Sequence, residues 1–349
     1  MRKYVLSFTL LTFLFFSASV SAQDKDETKY YYIGKIGNEL NLQMELSMDD
    51  GEVRGSYYYD KNGTPLSLSG EANLKEYKIK LVEIDDKKRK TGEFNGVYTP
   101  IAQGLGTKIE GTWSSADGTK NFPFILNKVA NYEFFLIKQG KYSEAKWSYP
   151  KLISKNEVIQ KISTKLGDRM KPEIEEFQKD AKEGFMADAI TDAWLFTYNY
   201  SIEYYSENLI SFTGLVYSYT GGAHGNTYFV SSNYRIKDGE SKLLKLSELF
   251  KKDSDYVKAL SEYCIKDLGK QGASWVVNGE IKSLKEDEIG PFALSPRGIQ
   301  FAFAPYAVGP YSQGAYFVTI DYSHLKNVIN PQGPLAQFIG PSGADTQRQ

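Results

Sequence analysis

A glycine-rich run between two alternating segments is the feature that most constrains how this chain can fold. Residues 217–227 read YSYTGGAHGNT and hold three glycines together with His224, one of two histidines in the chain. Aromatic-rich segments with a period of two lie on both sides, which predicts antiparallel strands joined by a turn with His224 at its tip. Residues 194–204, 209–219 and 227–236 therefore form a predicted three-stranded meander.

The first third of the chain has the same period of two. Turn signals recur at Asp50-Gly51, Asn62-Gly63 and Asp117-Gly118, where Gly, Asn and Asp tolerate the positive φ of tight hairpins. The predicted strands cover residues 52–60, 64–70, 78–83, 92–98, 108–113 and 121–126. Short antiparallel strands at this spacing predict a meander over residues 30–128 that closes into a small barrel or sandwich. A filled core is favoured over a ligand cavity, and both remain open.

Helical signals follow a predicted connection at residues 128–153. Ser154 and Glu157 have capping-box spacing, which predicts a helix start, and a second helix is predicted over 172–189 with Pro172 in its first turn. A later helix carries Cys264 on its apolar stripe, where a buried thiol is expected. The predicted fold class is α+β, with helices packed on an antiparallel sheet. Residues 330–349 are predicted to be a loose tail, with docking of some apolar side chains as the alternative.

The amino terminus has the pattern of a secretory signal peptide. A positive start, an apolar run at residues 5–16 and small residues up to Ala22 predict cleavage near Ala22-Gln23. The apolar run is too short for a comfortable membrane span, so we predict export to the periplasm or the outside without a stable membrane anchor. The formal net charge is −1, and it becomes −3 once Arg2 and Lys3 are removed. A chain without excess positive charge is a poor candidate for binding nucleic acid.

The rare residues limit the chemistry that the chain can perform. A single cysteine cannot form an internal disulfide, and two histidines with one cysteine are too few for a usual zinc site. No Gly-x-Ser-x-Gly elbow and no phosphate-binding loop occur. We therefore expect no cofactor and no metal.

The second half of the chain resembles a known family. The run from Tyr219 to Gly225, read as Tyr-Thr-Gly-Gly-Ala-His-Gly, is similar to the hallmark of the extracytoplasmic domain found in RsiV-type anti-sigma factors and in PdaC-type deacetylases. Supporting matches lie at residues 246–250, 292–301, 303–306 and 311–314. Residues 132–217 resemble the PdaC-type domain that commonly precedes it, and residues 218–325 resemble the RsiV-type domain itself.

The resemblance implies an α+β envelope module. In the RsiV-type proteins this region binds lysozyme, and in the deacetylase the catalytic domain is a separate module. This chain lacks the sigma-binding part of the former and the catalytic module of the latter. The expectation is therefore a non-enzymatic binding protein of the cell envelope whose partner is a lysozyme-like protein or a peptidoglycan glycan. A purely structural surface protein is another alternative.

Candidate ligand-binding residues lie in the turn and in a second loop at residues 305–314. The predicted set is Tyr219, Thr220, Gly221, Gly222, His224, Asn226, Tyr306 and Tyr311. Aromatic rings on a stiff loop can stack on sugars or anchor a protein partner. We predict that this loop lies near His224, and a separation above about 20 Å would exclude a shared site. No catalytic residue is assigned, and the alternative is an envelope-polymer hydrolase with His224 as base. The simpler reading makes His224 a turn residue that ties neighbouring strands together.

Overall fold

The computed structural model describes residues 28–100, 104–186 and 193–339. Its architecture is α+β, which confirms the predicted fold class, with an all-β unit first and helices packed on sheets after it. The predicted signal peptide lies outside the described residues. Within the described ranges, no helix combines the length and the apolar character that crossing a membrane would require.

Eight consecutive antiparallel strands form a closed barrel. They are β1 (Thr28–Ile36), β2 (Leu40–Asp49), β3 (Glu52–Tyr59), β4 (Pro65–Asn73), β5 (Lys78–Ile84), β6 (Lys90–Tyr98), β7 (Lys108–Ser115) and β8 (Asn121–Gln139). Each strand pairs with the next, and β1 pairs with both β2 and β8, which closes the ring. The alternation seen in the sequence therefore produces the up-and-down meander that was predicted.

The inside of the barrel is packed with side chains. Tyr57 and Phe94 are almost fully buried and meet edge to face at 5.5 Å between ring centroids. Glu83 is only 3% exposed, and its carboxylate accepts hydrogen bonds from the Tyr57 hydroxyl, from Thr91 Oγ1 at 2.5 Å and from Trp113 Nε1 at 2.9 Å. Because the buried carboxylate has three donors, its hydrogen-bonding needs are met within the fold.

Strand β8 is much longer than the predicted strand at residues 121–126. Its first part pairs with β7 and β1, and residues 130–139 pair with β9 (Ser143–Leu152). The segment predicted as a connection at residues 128–153 is therefore mostly a hairpin, and one strand belongs to both the barrel and the second sheet.

A single helix, α1 (Glu157–Met186), replaces the two helices predicted here. Pro172 lies inside it and not at a helix start. Leu166 before the proline and Ile174 after it are buried in the same core. This continuous apolar stripe offsets the backbone hydrogen bond that proline removes, and the helix runs through.

The start of α1 also differs from the predicted capping box. Asn156 supplies the capping oxygen, and its Oδ1 accepts from the Val158 backbone N–H at 3.0 Å. The Ser154 hydroxyl accepts instead from the Asn156 backbone N–H at 3.0 Å. The N-cap residue is therefore Asn156, two residues after the predicted Ser154.

The second sheet continues from β9 through four more strands. They are β10 (Trp194–Tyr205), β11 (Leu209–Tyr219), β12 (Asn226–Lys237) and β13 (Glu240–Leu243). β9 and β10 are parallel, and the other pairs are antiparallel. The predicted three-stranded meander corresponds to β10, β11 and β12. Helix α1 shares a hydrophobic core with this sheet.

The last third builds a small sheet covered by a helix. Its elements are α2 (Tyr256–Gln271), α3 (Ser274–Val277), β14 (Phe292–Ser295), β15 (Gly298–Phe303), β16 (Tyr316–Ile320) and α4 (Ala336–Ile339), with short 3₁₀ turns at Leu246–Leu249, Tyr311–Gln313 and Tyr322–Leu325. Cys264 of α2 is fully buried in this core, and burial raises the pKa of its thiol to about 12. It therefore has the environment of a structural thiol.

The described part of the predicted tail packs on this core. Leu335 is fully buried, and the Phe338 ring stacks on Tyr322 at 5.2 Å between centroids and meets Tyr204 edge to face at 4.8 Å. Residues 330–339 are therefore docked, as in the alternative given above. Residues 340–349 lie outside the described residues.

The barrel is attached to the second sheet by buried polar contacts. Gln43 donates from Nε2 to the Tyr205 carbonyl at 3.0 Å and accepts at Oε1 from the Tyr205 backbone N–H at 2.8 Å. The Tyr58 hydroxyl donates to the Glu203 carbonyl at 2.8 Å. A side chain at Gly63 would lie 2.6 Å from the Arg297 backbone nitrogen, so glycine permits a close approach there.

Candidate functional site

The turn after β11 holds His224 at the edge of the second sheet. Gly221 and Gly222 have φ values of +93° and +94°, a conformation that other residues rarely adopt. The Tyr219 hydroxyl donates to the Gly222 carbonyl at 3.3 Å and closes the turn. The first two glycines therefore supply the positive φ that this turn needs.

Gly225 has a different role from Gly221 and Gly222. Its φ is not in the left-handed region, but a Cβ there would lie 2.4 Å from the ring of Tyr217. Glycine is needed because the ring of Tyr217 covers the backbone. Tyr217 is partly buried, and burial raises the pKa of its phenol, with Tyr311 and Tyr219 adding to the effect.

The loop at residues 305–314 is fastened to the ends of two helices. Gln313 accepts at Oε1 from the Ser274 backbone N–H at 3.1 Å and donates from Nε2 to the Gly272 carbonyl at 3.3 Å. The Trp275 backbone N–H donates to the Val308 carbonyl at 3.3 Å. These bonds hold the loop so that its tyrosines face the turn.

The structure brings the turn and the loop into direct contact. The His224 imidazole stacks on the Tyr311 ring with 3.7 Å between centroids and 15° between planes. The Tyr306 hydroxyl lies 3.4 Å from His224 Nε2. We use the term tip cluster for His224, Tyr306 and Tyr311 together with Tyr217 and Tyr219. The predicted proximity of loop and turn is thus present, and a role in ligand binding remains a prediction.

The hydrogen bonds of His224 define which ring nitrogen carries the proton. Nδ1 lies 2.9 Å from the Gly225 carbonyl oxygen, and a carbonyl can only accept, so Nδ1 is the donor. In the neutral ring Nε2 then has the lone pair, and the Tyr306 hydroxyl donates to it. The arrangement presents a basic nitrogen beside a phenol at the molecular surface, which is suited to proton transfer.

The tip cluster is open to solvent. Tyr306 is 52% exposed, and its φ of +70° is unusual for a bulky residue. His224 is exposed as well, whereas Tyr311 is half-buried beneath it. A strained backbone that presents an aromatic side chain to solvent is typical of binding and catalytic sites.

Two of the predicted site residues lie at the margin of the tip cluster, and two residues that shape the site were not predicted. Thr220 and Asn226 are exposed at the two ends of the turn, and Asn226 pairs with Ser218 in the strand ladder. Tyr217 and Gln313 were not predicted as site residues. Both lay inside the stretches that carried the family resemblance, but their roles depend on contacts with distant backbone.

The other histidine and the barrel surface lie outside the tip cluster. The His324 ring lies 5.1 Å from the Tyr263 ring beside α2. An open groove of about 780 Å³ on the outer barrel wall is lined by residues of the barrel strands, including Lys80, Asn95 and Glu110. In the ranges that the structure describes, no three His, Cys, Asp or Glu side chains are grouped in a way that could hold a metal ion.

Two family models match the second half of the chain. Residues 137–227 match a model described as Deacetylase PdaC, and residues 247–323 match one described as Protein of unknown function (DUF3298). The chain thus carries a PdaC-type domain followed by a DUF3298 domain, which confirms the resemblance drawn from the sequence. His224 belongs to the first match and the two loop tyrosines to the second, so the tip cluster lies where the two domains meet.

A curated protein is also similar to this chain, and it carries the PdaC name. The chain is 27% identical over 218 residues to the peptidoglycan-N-acetylmuramic acid deacetylase PdaC of Bacillus subtilis (strain 168). The alignment covers 60% of this chain and 45% of that protein, so the chain spans less than half of the relative's length. The match relates this chain to a protein of the cell envelope.

Two solved structures resemble part of the chain. A DUF3298 family protein of Pseudomonas aeruginosa PAO1 has 15% identity and a TM-score of 0.41, covering 58% of this chain and 93% of that one. A member of the same family from Bacteroides fragilis NCTC 9343 has 16% identity and a TM-score of 0.41, covering 60% and 96%.

The relative corrects one expectation from the sequence. The sequence analysis predicts a chain that is not an enzyme, because the resemblance implies a separate catalytic module in the deacetylase. The curated relative is named as a deacetylase and points to an enzyme, which contradicts that expectation.

Proposed function

We propose that this chain is an exported enzyme that acts on the peptidoglycan glycan of the cell envelope, and that the tip cluster binds the sugar. The observation that carries the proposal is the His224 imidazole, stacked on Tyr311 with its Nε2 directed at the Tyr306 hydroxyl. The family matches and the name of the curated relative support the choice of substrate class.

The rings of the tip cluster suit a carbohydrate ligand. Sugars present apolar C–H faces that stack on aromatic rings, while their hydroxyl and amide groups need hydrogen-bonding partners at the edge. Tyr306 and Tyr311 supply the rings, and the phenol and imidazole nitrogen supply the polar edge. A neutral, N-acetylated glycan matches this combination.

The chemistry assigned to the cluster is hydrolysis with His224 as base. The Gly225 carbonyl holds the Nδ1 proton, so Nε2 can accept a proton from the water that attacks the acetyl carbonyl. The Tyr306 hydroxyl donates its proton to the nitrogen of the departing amine as the C–N bond breaks. The protonated Nε2 then returns a proton to the Tyr306 oxygen 3.4 Å away, so both side chains regain their starting states and the products are acetate and the free amine. Removal of an acetyl group is the first reaction to test, and cleavage of the glycan chain is the second.

The test uses the purified mature chain with insoluble peptidoglycan and with soluble N-acetylated oligosaccharides. Acetate release measures deacetylation, new reducing ends measure chain cleavage, and co-sedimentation measures binding. We expect Tyr306→Phe and His224→Gln to lower the rate about 100-fold, which is the usual contribution of a positioned acid or base, and to weaken binding far less. Tyr311→Ala should weaken binding itself.

The other histidine provides the matched control. His324→Gln removes an imidazole that packs on Tyr263 and should leave rate and binding unchanged. Full activity of His224→Gln would remove the catalytic assignment. A lysozyme-like protein is the other partner expected from the resemblance, and titration of the same variants with lysozyme tests it. Tight lysozyme binding without any glycan turnover would contradict the proposed hydrolysis and would identify a lysozyme-like protein as the partner.

A further inference from the structure

The second sheet has a polar face on the side away from α1. Phe196 of β10 and Val216 of β11 belong to the hydrophobic core that α1 shares with this sheet. Because side chains alternate along a strand, their neighbours Thr197 and Tyr217 lie on the opposite face. Tyr217 is a member of the tip cluster, so this face is continuous with the candidate site.

Four side chains form a row across the strands on this face. Tyr217 of β11 pairs with Thr197 of β10, and Thr197 pairs with Lys146 of β9. Lys146 pairs with Leu136 of β8, which is 48% exposed. Three strand spacings separate the ends of the row, a length of about 14 Å that exceeds a single sugar ring. We use the term cross-strand strip for this row together with Asn199, which follows Thr197 on the same face of β10.

The barrel covers the same face next to the cross-strand strip. Tyr132 of β8 is 7% exposed, and its hydroxyl donates to Glu45 Oε2 of β2 at 2.8 Å. Phe134, two residues further along β8 on this face, is 37% exposed. The contact with the barrel therefore ends beside the strip, which lies open between the barrel and the tip cluster.

The side-chain amide of Asn199 is oriented and open. The Ser148 hydroxyl, on a residue only 4% exposed, donates to Asn199 Oδ1 at 2.7 Å. This bond turns Nδ2 and its N–H donors away from Ser148. Among the residues that the structure describes, none accepts from Nδ2, and this nitrogen reaches solvent. A donor that is already oriented can bind a ligand carbonyl at a low entropic cost.

An N-acetylated glycan is the occupant that these groups fit. Its acetamido carbonyls can accept from Asn199, its hydroxyl groups can bond to Thr197, and its apolar C–H faces can pack on the Tyr217 ring. Lys146 is already paired with Glu144 at 2.5 Å. The strip therefore suits a neutral chain better than an acidic polymer. A glycan with one sugar at the tip cluster would continue along the strip, because Tyr217 belongs to both.

We propose that the cross-strand strip binds further sugars of the glycan chain whose reacting sugar lies at the tip cluster, with Asn199 Nδ2 donating to an acetamido carbonyl. This inference rests on the function proposed above and adds that the substrate is a polymer and not a single sugar. Asn199 lies diagonal to Tyr217 across the strand pair, about 7 Å away. The acetamido group that it binds therefore belongs to a sugar adjacent to the one at the tip.

The first test is calorimetric titration of the mature chain with N-acetylglucosamine and with its β-1,4-linked tetramer. The tetramer should bind at least about tenfold more tightly, because only the tetramer reaches the strip. Asn199→Asp keeps the acceptor for Ser148 and removes the donor, and Thr197→Val removes the hydroxyl at nearly constant volume. Each should weaken tetramer binding about fivefold, as expected for one hydrogen bond, and leave monomer binding unchanged.

The matched control makes the same substitution elsewhere. Asn208 is exposed in the turn after β10, away from the strip, and Asn208→Asp should keep both affinities. Thermal melts should show that all three variants are folded. Equal affinities for monomer and tetramer in the native chain, or unchanged tetramer affinity in both strip variants, would overturn the inference.

Acetate release separates this inference from the function on which it rests. With the tetramer as substrate, Asn199→Asp should raise KM about fivefold and retain kcat, because the strip contacts sugars that do not react. Acetate release without any advantage of the tetramer would leave the hydrolysis standing and remove the strip. Binding that depends on chain length without acetate release would support the strip and contradict the hydrolysis. Absence of all glycan binding would overturn both.

Discussion

Aromatic residues occupy both the barrel interior and the tip cluster, but their surroundings differ. In the barrel, the Tyr57 ring is buried against Phe94 and Tyr59, and its hydroxyl donates to Glu83. At the tip, Tyr306 is half exposed, has positive φ, and makes one long hydrogen bond to His224. Rings that neighbours enclose contribute mainly to stability, whereas rings held by a loop and open to solvent are available to a ligand.

The polar groups show the same difference. Glu83 has three donors inside the barrel, so its capacity for hydrogen bonding is used within the fold. The Nε2 of His224 faces a single phenol at 3.4 Å and is accessible from outside. The comparison predicts that substitutions in the barrel lower the free energy of unfolding, and that substitutions at the tip lower binding and activity.

The largest expected effect is on stability. Glu83→Ala removes the acceptor from the buried Tyr57 hydroxyl and from the partly buried Thr91 and Trp113 donors, and we expect the free energy of unfolding to fall by about 3 kcal/mol. Chemical denaturation measures the loss. Retained stability would show that water enters the barrel end and replaces the carboxylate. Glu110→Ala, at an exposed position on β7, is the control and should change the free energy little.

The next effect separates binding from stability. Tyr311→Ala removes the ring under His224 and should weaken glycan binding about fivefold, since one aromatic contact contributes about 1 kcal/mol. The midpoint of thermal unfolding should change little, because Tyr311 is only half-buried. Calorimetric titration with an oligosaccharide and a thermal melt measure the two quantities. A large loss of stability with unchanged affinity would show that the Tyr311 ring stabilises the fold and does not bind the glycan.

The smallest effect concerns the pH dependence of stability at the attachment of the barrel. Burial raises the pKa of Glu203, the Thr213 hydrogen bond opposes this, and Glu45 raises it further while Lys29 lowers it. The folded protein therefore holds a proton that the unfolded chain releases above its ordinary pKa. The stabilisation is present below that pKa and is lost as pH rises towards the raised value.

Glu203→Gln should therefore flatten the dependence of unfolding on pH. Denaturant midpoints between pH 4 and pH 7 measure the slope for the native chain and the variant. The neighbouring exposed Glu207 supplies the control, and Glu207→Gln should keep the native slope. An unchanged slope in Glu203→Gln would mean that this carboxylate is solvated in the folded state.

Local patterns in the sequence predicted the regular strands well. The strand at residues 52–60 and the meander at 194–236 match β3 and β10–β12 closely, because each has one buried and one wetter face and clear turn residues at its ends. Prediction was wrong where packing overrides a local signal. Pro172 indicated a helix start, and buried residues on both sides of it keep α1 continuous.

The amino-acid sequence by itself determined the strands with a period of two, the glycines with positive φ at the tip, and the family that the second half of the chain resembles. Each depends on neighbouring residues, through side-chain alternation and the absence of a Cβ. Only the tertiary structure decided that β8 serves two sheets, that Tyr217 covers Gly225, and that Gln313 directs the loop tyrosines at His224. These contacts join residues far apart in sequence, and they form because whole elements pack together.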